Sequence, residues 1–291
     1  MLEFTKEEWR RRREERRQRQ RAANVGRAAE MHRARLERLP SPTKRVASIG
    51  DPAPQYQIGC SGWFYWKWRS LFYPKALPTK EWFSYYAKHF RTVEINASFY
   101  SWPTEASVKA WLKATGKRRF VYTVKVCELI THVKRFKGTK ELVRDFGVVA
   151  DILGAKMGCF LFQLPPSYSF TLARLKSILG QLDHGRRNVV EFRHPSWWNE
   201  KVFGAFRENG TIFCSCSAPR LPDTLVRTAD DIYVRFHGTT RWYRHDYSRE
   251  ELTGWATRIK ASGAKTSWIY FNNDFGAYAT KNARELRRLL D

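Results

Sequence analysis

Val189-Val190-Glu191-Phe192-Arg193 runs directly into His194-Pro195-Ser196-Trp197-Trp198 (VVEFRHPSWW, 189–198). The β-branched start reads as a strand that the proline stops, yet it carries Glu191, Arg193 and His194. Charge inside a protein is costly unless it is paired or used. Successive side chains on a strand point to opposite faces, so Glu191 and Arg193 share one face, and Val190 and Phe192 the other. The same two-faced pattern recurs. In TVEIN (92–96) Glu94 and Asn96 oppose Val93 and Ile95, and in FVYTVKV (120–126) Thr123 and Lys125 oppose Val124 and Val126. In IYVRFH (232–237) Tyr233, Arg235 and His237 oppose Val234 and Phe236.

The further apolar runs YQIGC (56–60), CFLFQL (159–164), TIFCSCS (211–217) and SWIYFN (267–272) bring the predicted strands to eight. Helical patterns are predicted at 79–90, 104–115, 139–153, 171–182, 197–208, 248–262 and 277–290, while 218–230 is a weaker, shorter connection. Eight strands alternating with helices over residues 56–291 predict an α/β fold, a (β/α)8 TIM barrel. An open doubly wound sheet is the alternative, and it is disfavoured because no Gly-rich dinucleotide loop follows the first strand.

Residues 1–50 differ in kind. EEWRRRREERRQRQRAANVGRAAEMHRARLERL has good helix formers and Glu–Arg spacings but no continuous apolar stripe. It predicts an exposed, basic, helical or partly disordered N-terminal arm, joined to the barrel by the proline-punctuated LPSPTKRVASIGDPAPQ (39–55). The net charge is +25: residues 1–45 carry 15 Lys/Arg against 7 acids, and the remainder 38 against 21. Both parts are therefore basic, which favours a polyanionic ligand such as nucleic acid or a nucleotide. The arm reads equally as a nucleic-acid contact or as a solvated charged helix. No apolar run is long enough to span a membrane. Five cysteines, all in apolar strand-like stretches, read as reduced buried thiols in a cytoplasmic protein.

Catalytic groups of such a barrel sit at the carboxyl ends of its strands. Gln163 ends strand four, and Asn272, Asn273 and Asp274 end strand eight. With the shared-face residues they form a convergent candidate site. Lys125, Arg193 and Arg235 oppose Glu94 and Glu191, leaving one cation over before Asp274 is counted, with His194 and His237 titratable beside them. Spare cations suit a phosphate, sulfate or carboxylate. They suit a divalent metal poorly, and no metal spacing joins His132, His194 and His237 or the Cys214-Ser-Cys216 pair. No cofactor is expected, with a divalent metal left as an alternative. Aromatic loops (GWFYWKWRSLFYP, 62–74; SFYSWP, 98–103; RWYRHDY, 241–247) offer stacking surfaces for bases or sugars, or simply pack on the barrel top.

Seven ordered stretches, GCSGWFYWKWRSLFYP, VEINASFYSWP, KVCELITH, FLFQLPPSY, VVEFRHPSWW, YVRFHG and YFNNDFGAYATKNA, together resemble the YecE-like family, domain of unknown function 72. The resemblance runs from about Ile58 to Leu290 and implies a TIM barrel. It implies no reaction, and it marks Trp63, Glu94, Asn96, Tyr100, Lys125, His132, Gln163, Glu191, Arg193, His194, Arg235, His237, Asn272 and Asn273 as motif positions. Asp274 stands where a histidine is common in the family.

The expectation for function is hydrolysis of a phosphate-containing substrate at the barrel mouth. Glu191 or Glu94 would be the general base and His237 or His132 the general acid. Arg193, Arg235 and Lys125 would hold the anion, and Trp63, Asn96, Tyr100, Gln163, His194, Asn272, Asn273 and Asp274 would line the site. The alternative is a non-catalytic nucleic-acid or ribonucleoprotein binder whose arm supplies affinity. A third reading uses Glu94 and Glu191 as a glycosidase carboxylate pair.

Overall fold

The computed structural model describes residues 5–38 and 55–291. Eight parallel strands close in sequence order into one barrel: β1 (Gln55–Cys60), β2 (Thr92–Ile95), β3 (Val121–Lys125), β4 (Met157–Gln163), β5 (Asn188–Glu191), β6 (Ile212–Ser217), β7 (Ile232–Phe236) and β8 (Thr266–Phe271). Around it lie α2 (Trp82–His89), α3 (Ala97–Tyr100), α4 (Glu105–Thr115), α5 (Lys140–Leu153), α6 (Leu172–Gln181), α7 (Glu200–Glu208), α8 (Arg249–Ala261) and α9 (Tyr278–Leu290). This is a (β/α)8 barrel in which the β6–β7 connection, the weak one in the sequence pattern, carries no helix. Strand five ends at Glu191, so Arg193 belongs to the loop that follows.

Two apolar layers follow from the alternation. Val93, Ile95, Val124, Phe162, Val190, Phe192, Val234 and Phe236 pack outward with the helices. Cys159, Leu161, Val189, Ile212, Cys214, Cys216, Tyr233, Trp268 and Tyr270 fill the lumen. All five cysteines are buried and free. Above this plug the lumen turns polar, which positions the site at the carboxyl ends of the strands.

Strands β1 and β2 pair directly only at Cys60 and Val93. The gap is bridged by the buried Tyr86 hydroxyl of α2, which accepts from Cys60 N (2.8 Å) and donates to Thr92 O (3.0 Å). A side chain at Gly59 would run into the Thr92 carbonyl, so this crossing needs glycine.

The N-terminal segment is one helix, α1 (Lys6–Glu37), started by a capping box between Thr5 and Glu8. The sequence pattern predicts that it stands exposed, but its second half docks on the barrel. The docking residues 17, 21, 24, 28, 31, 35 and 38 follow alternating steps of four and three, so they form one stripe along the helix. Arg17 and Arg21 bind the buried Glu128 (3.3 and 3.1 Å). The fully buried Asn24 accepts from Trp102 N (2.9 Å) and donates to Tyr100 O (3.0 Å). Ala28 and Met31 are buried, Arg35 binds Asp145 (2.7 Å) and Arg38 binds Glu105 (2.5 Å). The stripe escapes a search for apolar periodicity because it is spelled mostly in arginine, asparagine and alanine. The linker, residues 39–54, lies outside the described residues. Among the described residues no helix is long and apolar enough to cross a membrane.

Candidate functional site at the barrel mouth

Arg235 is the centre of the mouth. Its inward position on β7 leaves it fully buried between two carboxylates from opposite sides of the barrel. One guanidinium nitrogen donates to Glu94 Oε1 (2.5 Å) and lies 3.4 Å from Ser61 Oγ; the other donates to Glu191 Oε2. Tyr233, two residues earlier on the same face, donates to Glu94 Oε2 (2.5 Å). Arg193 donates to Glu191 Oε1 (2.8 Å) and to the Tyr243 hydroxyl (3.1 Å), with its guanidinium over the Trp242 ring (4.8 Å). His237 Nε2 lies 3.4 Å from Glu191 Oε1, and its Nδ1 lies 3.2 Å from the Asn272 amide.

This network decides protonation. Burial pushes the Glu191 carboxyl up, but Arg235 and Arg193 outweigh it and hold the group well below the usual carboxylate range. Burial, with Arg235 alongside, pushes His237 down to about 3, so its imidazole is neutral at pH 7. A carboxylate held this low is a poor base at neutral pH, and a histidine held this low is a poor acid. Both Glu191 oxygens already accept from guanidinium groups. This protonation does not favour the base and acid roles expected for Glu191 and His237; Glu94 and Glu191 hold Arg235, Glu191 also holds Arg193, and His237 stands against Glu191.

Lys125, at the end of β3, is the exception. It is 8% exposed, and its Nζ makes no hydrogen bond or ion pair with another described residue and rests 4.1 Å over the Phe99 ring. Burial, followed by the charges of Arg235 and Arg193, pushes it down to about 7. His132 sits on a single π-helical turn, Leu129–Val133, with its ring edge-on to Phe99 (4.9 Å) and Nδ1 2.9 Å from Thr131 Oγ1. Burial, then Lys125, pushes it down to about 4, so it too is neutral at pH 7 and lacks the proton a general acid would give. Asn96 donates to Ser61 O (3.2 Å), and Gln163 Nε2 donates to Leu164 O (2.8 Å). Among the described residues Asn96 Oδ1 and Arg235 Nε are buried without a hydrogen-bond partner, and His237 Nε2 has only its 3.4 Å approach to Glu191. Unpaired buried polar atoms gathered in one place mark a spot built for a ligand or ordered water.

Other expected residues lie apart. His194 turns its Nδ1 to Ser196 Oγ (2.7 Å) and caps the short turn Pro195–Trp197. Asn273 is fully buried and ties His245 O (2.8 Å) to Asn282 Oδ1 (2.7 Å), which braces the β7 and β8 loops beneath the mouth. Trp63 packs edge-on to Phe83 (4.8 Å), Asp274 accepts from the Trp68 indole (2.9 Å) through its carbonyl, and Tyr100 stands 63% exposed on the rim. Ser61, Trp242 and Tyr243 join the site without a signal of their own in the sequence, although each lies in a family motif or an aromatic loop. Glu191, Cys216 and His237 offer ligand atoms within 4.8 Å of one another. With two guanidinium groups on Glu191, that set suits a dication poorly.

The family model described as "Protein of unknown function DUF72" matches residues 57–291. The chain is 26% identical over 270 residues to UPF0759 protein YunF of Bacillus subtilis (strain 168), covering 80% of this chain and 94% of that one. It is 27% identical over 146 residues to UPF0759 protein YecE of Escherichia coli (strain K12), covering 48% and 49%. A crystal structure of a DUF72 family protein from Thermotoga maritima MSB8 superposes with a TM-score of 0.73 at 27% identity, covering 81% of this chain and 99% of that one. The family model spans the strands and helices of the barrel, and the chain belongs to the DUF72 family.

Proposed function

We propose that the barrel mouth binds and hydrolyses a phosphate-bearing substrate, a nucleic acid or nucleotide, with Lys125 as the proton-transferring group. The observation that carries this reading is the buried lysine that has no anionic partner among the described residues, set beside Arg193 and Arg235. An incoming phosphate would supply the charge that Lys125 lacks, while Arg193 at the lip offers further donors in a fixed fork. In the step itself water adds to phosphorus and the bond to the leaving oxygen breaks. The Lys125 ammonium gives that oxygen its proton, and the proton of the water passes to solvent. A group balanced near pH 7 is suited to giving and regaining a proton. Glu94, Glu191 and Tyr233 act as positioning residues, since they hold Arg235.

The test is lysine-selective NMR of the whole protein with inorganic phosphate as the probe, paired with turnover of a phosphodiester panel by Lys125→Met. Lys125 should titrate near 7 and move upward as phosphate binds, and the variant should lose turnover. An ordinary lysine titration above 10, or one indifferent to phosphate, overturns the reading. A non-catalytic nucleic-acid binder is the second reading, favoured by the exposed arginines of α1. It predicts the same phosphate response with no turnover in parent or variant.

A further inference from the structure

The loops around the mouth alternate exposed aromatic rings with cations along five neighbouring strands. On the β7 loop Arg244 stacks over Phe275 of the β8 loop (4.9 Å), and Lys67 of the β1 loop approaches the same ring (5.0 Å). Next on the β1 loop come Trp66 and Phe64, in edge contact at 5.8 Å, with Arg69 over Trp66 at 5.6 Å. Tyr100 follows β2, and Glu128, which holds Arg17 and Arg21 of α1, follows β3. Trp66 is 64% exposed, Tyr100 63%, Phe64 51% and Phe275 39%. Rings this open keep much of their surface in solvent, with cations already set against Trp66 and Phe275.

Helix α1 extends the path. Its anchors fix it to the rim, and Asn24 joins it to Tyr100, which touches Phe99 (5.0 Å), the ring under Lys125. The turns before Arg17 present Arg10, Arg11, Arg13 and Arg16, all exposed. Burial is the first cause of the depressed His132, and the Arg17 charge adds to it, so the helix and the mouth share one field.

We infer that this arc is a track for a single strand of nucleic acid, with unpaired bases stacking on Trp66, Tyr100 and Phe275 and phosphates on Lys67, Arg69, Arg244 and the α1 arginines. The inference rests on the proposed reading of the mouth and narrows its substrate to a polymer. Rings open to solvent can stack bases only where the bases are unpaired, so single strands are favoured over duplex. The α1 arginines serve the backbone and carry no sequence preference.

The experiment is fluorescence anisotropy of the full chain with labelled oligouridine, oligodeoxythymidine and a duplex, across a salt series. Trp66→Ala with Tyr100→Ala should weaken both single strands by about tenfold or more per ring and leave the duplex little changed. Arg10, Arg13 and Arg16 replaced by Gln should flatten the dependence of log K on log salt by about 0.7 for each phosphate of a single strand that is no longer neutralised. A preference for oligouridine would assign RNA, and one for oligodeoxythymidine DNA. Equal binding of duplex and single strands, or aromatic variants that bind as the parent does, overturns the track and leaves a generally basic surface. Turnover of small phosphate substrates separates the two claims. If it persists while single-strand binding is absent, the track fails alone. If stacking variants release the strand but Lys125→Met changes neither turnover nor the phosphate response, the reading of the mouth fails alone.

Discussion

Replacing Lys125 with methionine should make the protein more stable and remove its activity, and the size of the gain follows from the pocket. An ordinary lysine titrates at 10.5, and this one is pushed down to about 7. Each pH unit between the two corresponds to about 1.4 kcal/mol, so keeping the charged ammonium in this pocket at or below pH 7 costs roughly 5 kcal/mol. Methionine keeps the unbranched stem over Phe99 and carries no proton. The sign is fixed by proton binding. Between about 7 and 10.5 the unfolded chain holds the Lys125 proton and the folded chain does not, so parental stability from this group rises with pH through that window. The variant's advantage should be greatest at neutral pH and below, and shrink to nothing by pH 10.5. Urea unfolding of parent and variant at neutral pH and at two alkaline values measures it, provided the slope against urea is unchanged. A variant no more stable than the parent at pH 7, or an advantage that ignores pH, would refute the reasoning. A site that stores cost in one lysine is the pattern expected where function opposes stability.

Three further outcomes follow from the same geometry. Arg235→Met strips the shared partner from two fully buried carboxylates and should cost about 3–5 kcal/mol in urea unfolding. Adding Glu94→Gln should recover part of that loss, whereas strict additivity would mean the pair is not coupled. His237 is held near 3 against 6.5 in the unfolded chain, so its contribution is present above pH 6.5 and falls away with acid. It should take roughly 2 kcal/mol of stability between pH 6.5 and 5, and His237→Asn should flatten that part of the profile. Asn24→Ala leaves the buried Trp102 N–H and the Tyr100 carbonyl without partners and should cost about 1–3 kcal/mol, with faster tryptic cleavage of α1 as a second readout.

Much of the barrel was legible because strand parity is a local property. Val190 and Phe192 flanking Glu191, or Val234 and Phe236 flanking Arg235, state which side faces helices without reference to the rest of the chain. The strand count, the weak β6–β7 connection, the predominance of positive charge and the gathering of Glu94, Lys125, Glu191, Arg193, Arg235 and His237 at one end of the barrel all follow from that periodicity and from composition. Partnership is different. Parity places Arg235 on the inner face, yet that it spans Glu94, 141 residues away, and Glu191, 44 away, depends on closure of the barrel. The same closure pairs both carboxylates with Arg235 and leaves Lys125 Nζ without an ion pair among the described residues. The docking of α1 was equally hidden, because its stripe of Arg17, Arg21, Asn24, Ala28, Met31, Arg35 and Arg38 looks like solvated surface until Glu128, Trp102, Asp145 and Glu105 are brought beneath it. Periodicity along the chain determined which residues face inward; only the folded barrel decided which charges meet, since pairing depends on distances across the lumen that no local spacing contains.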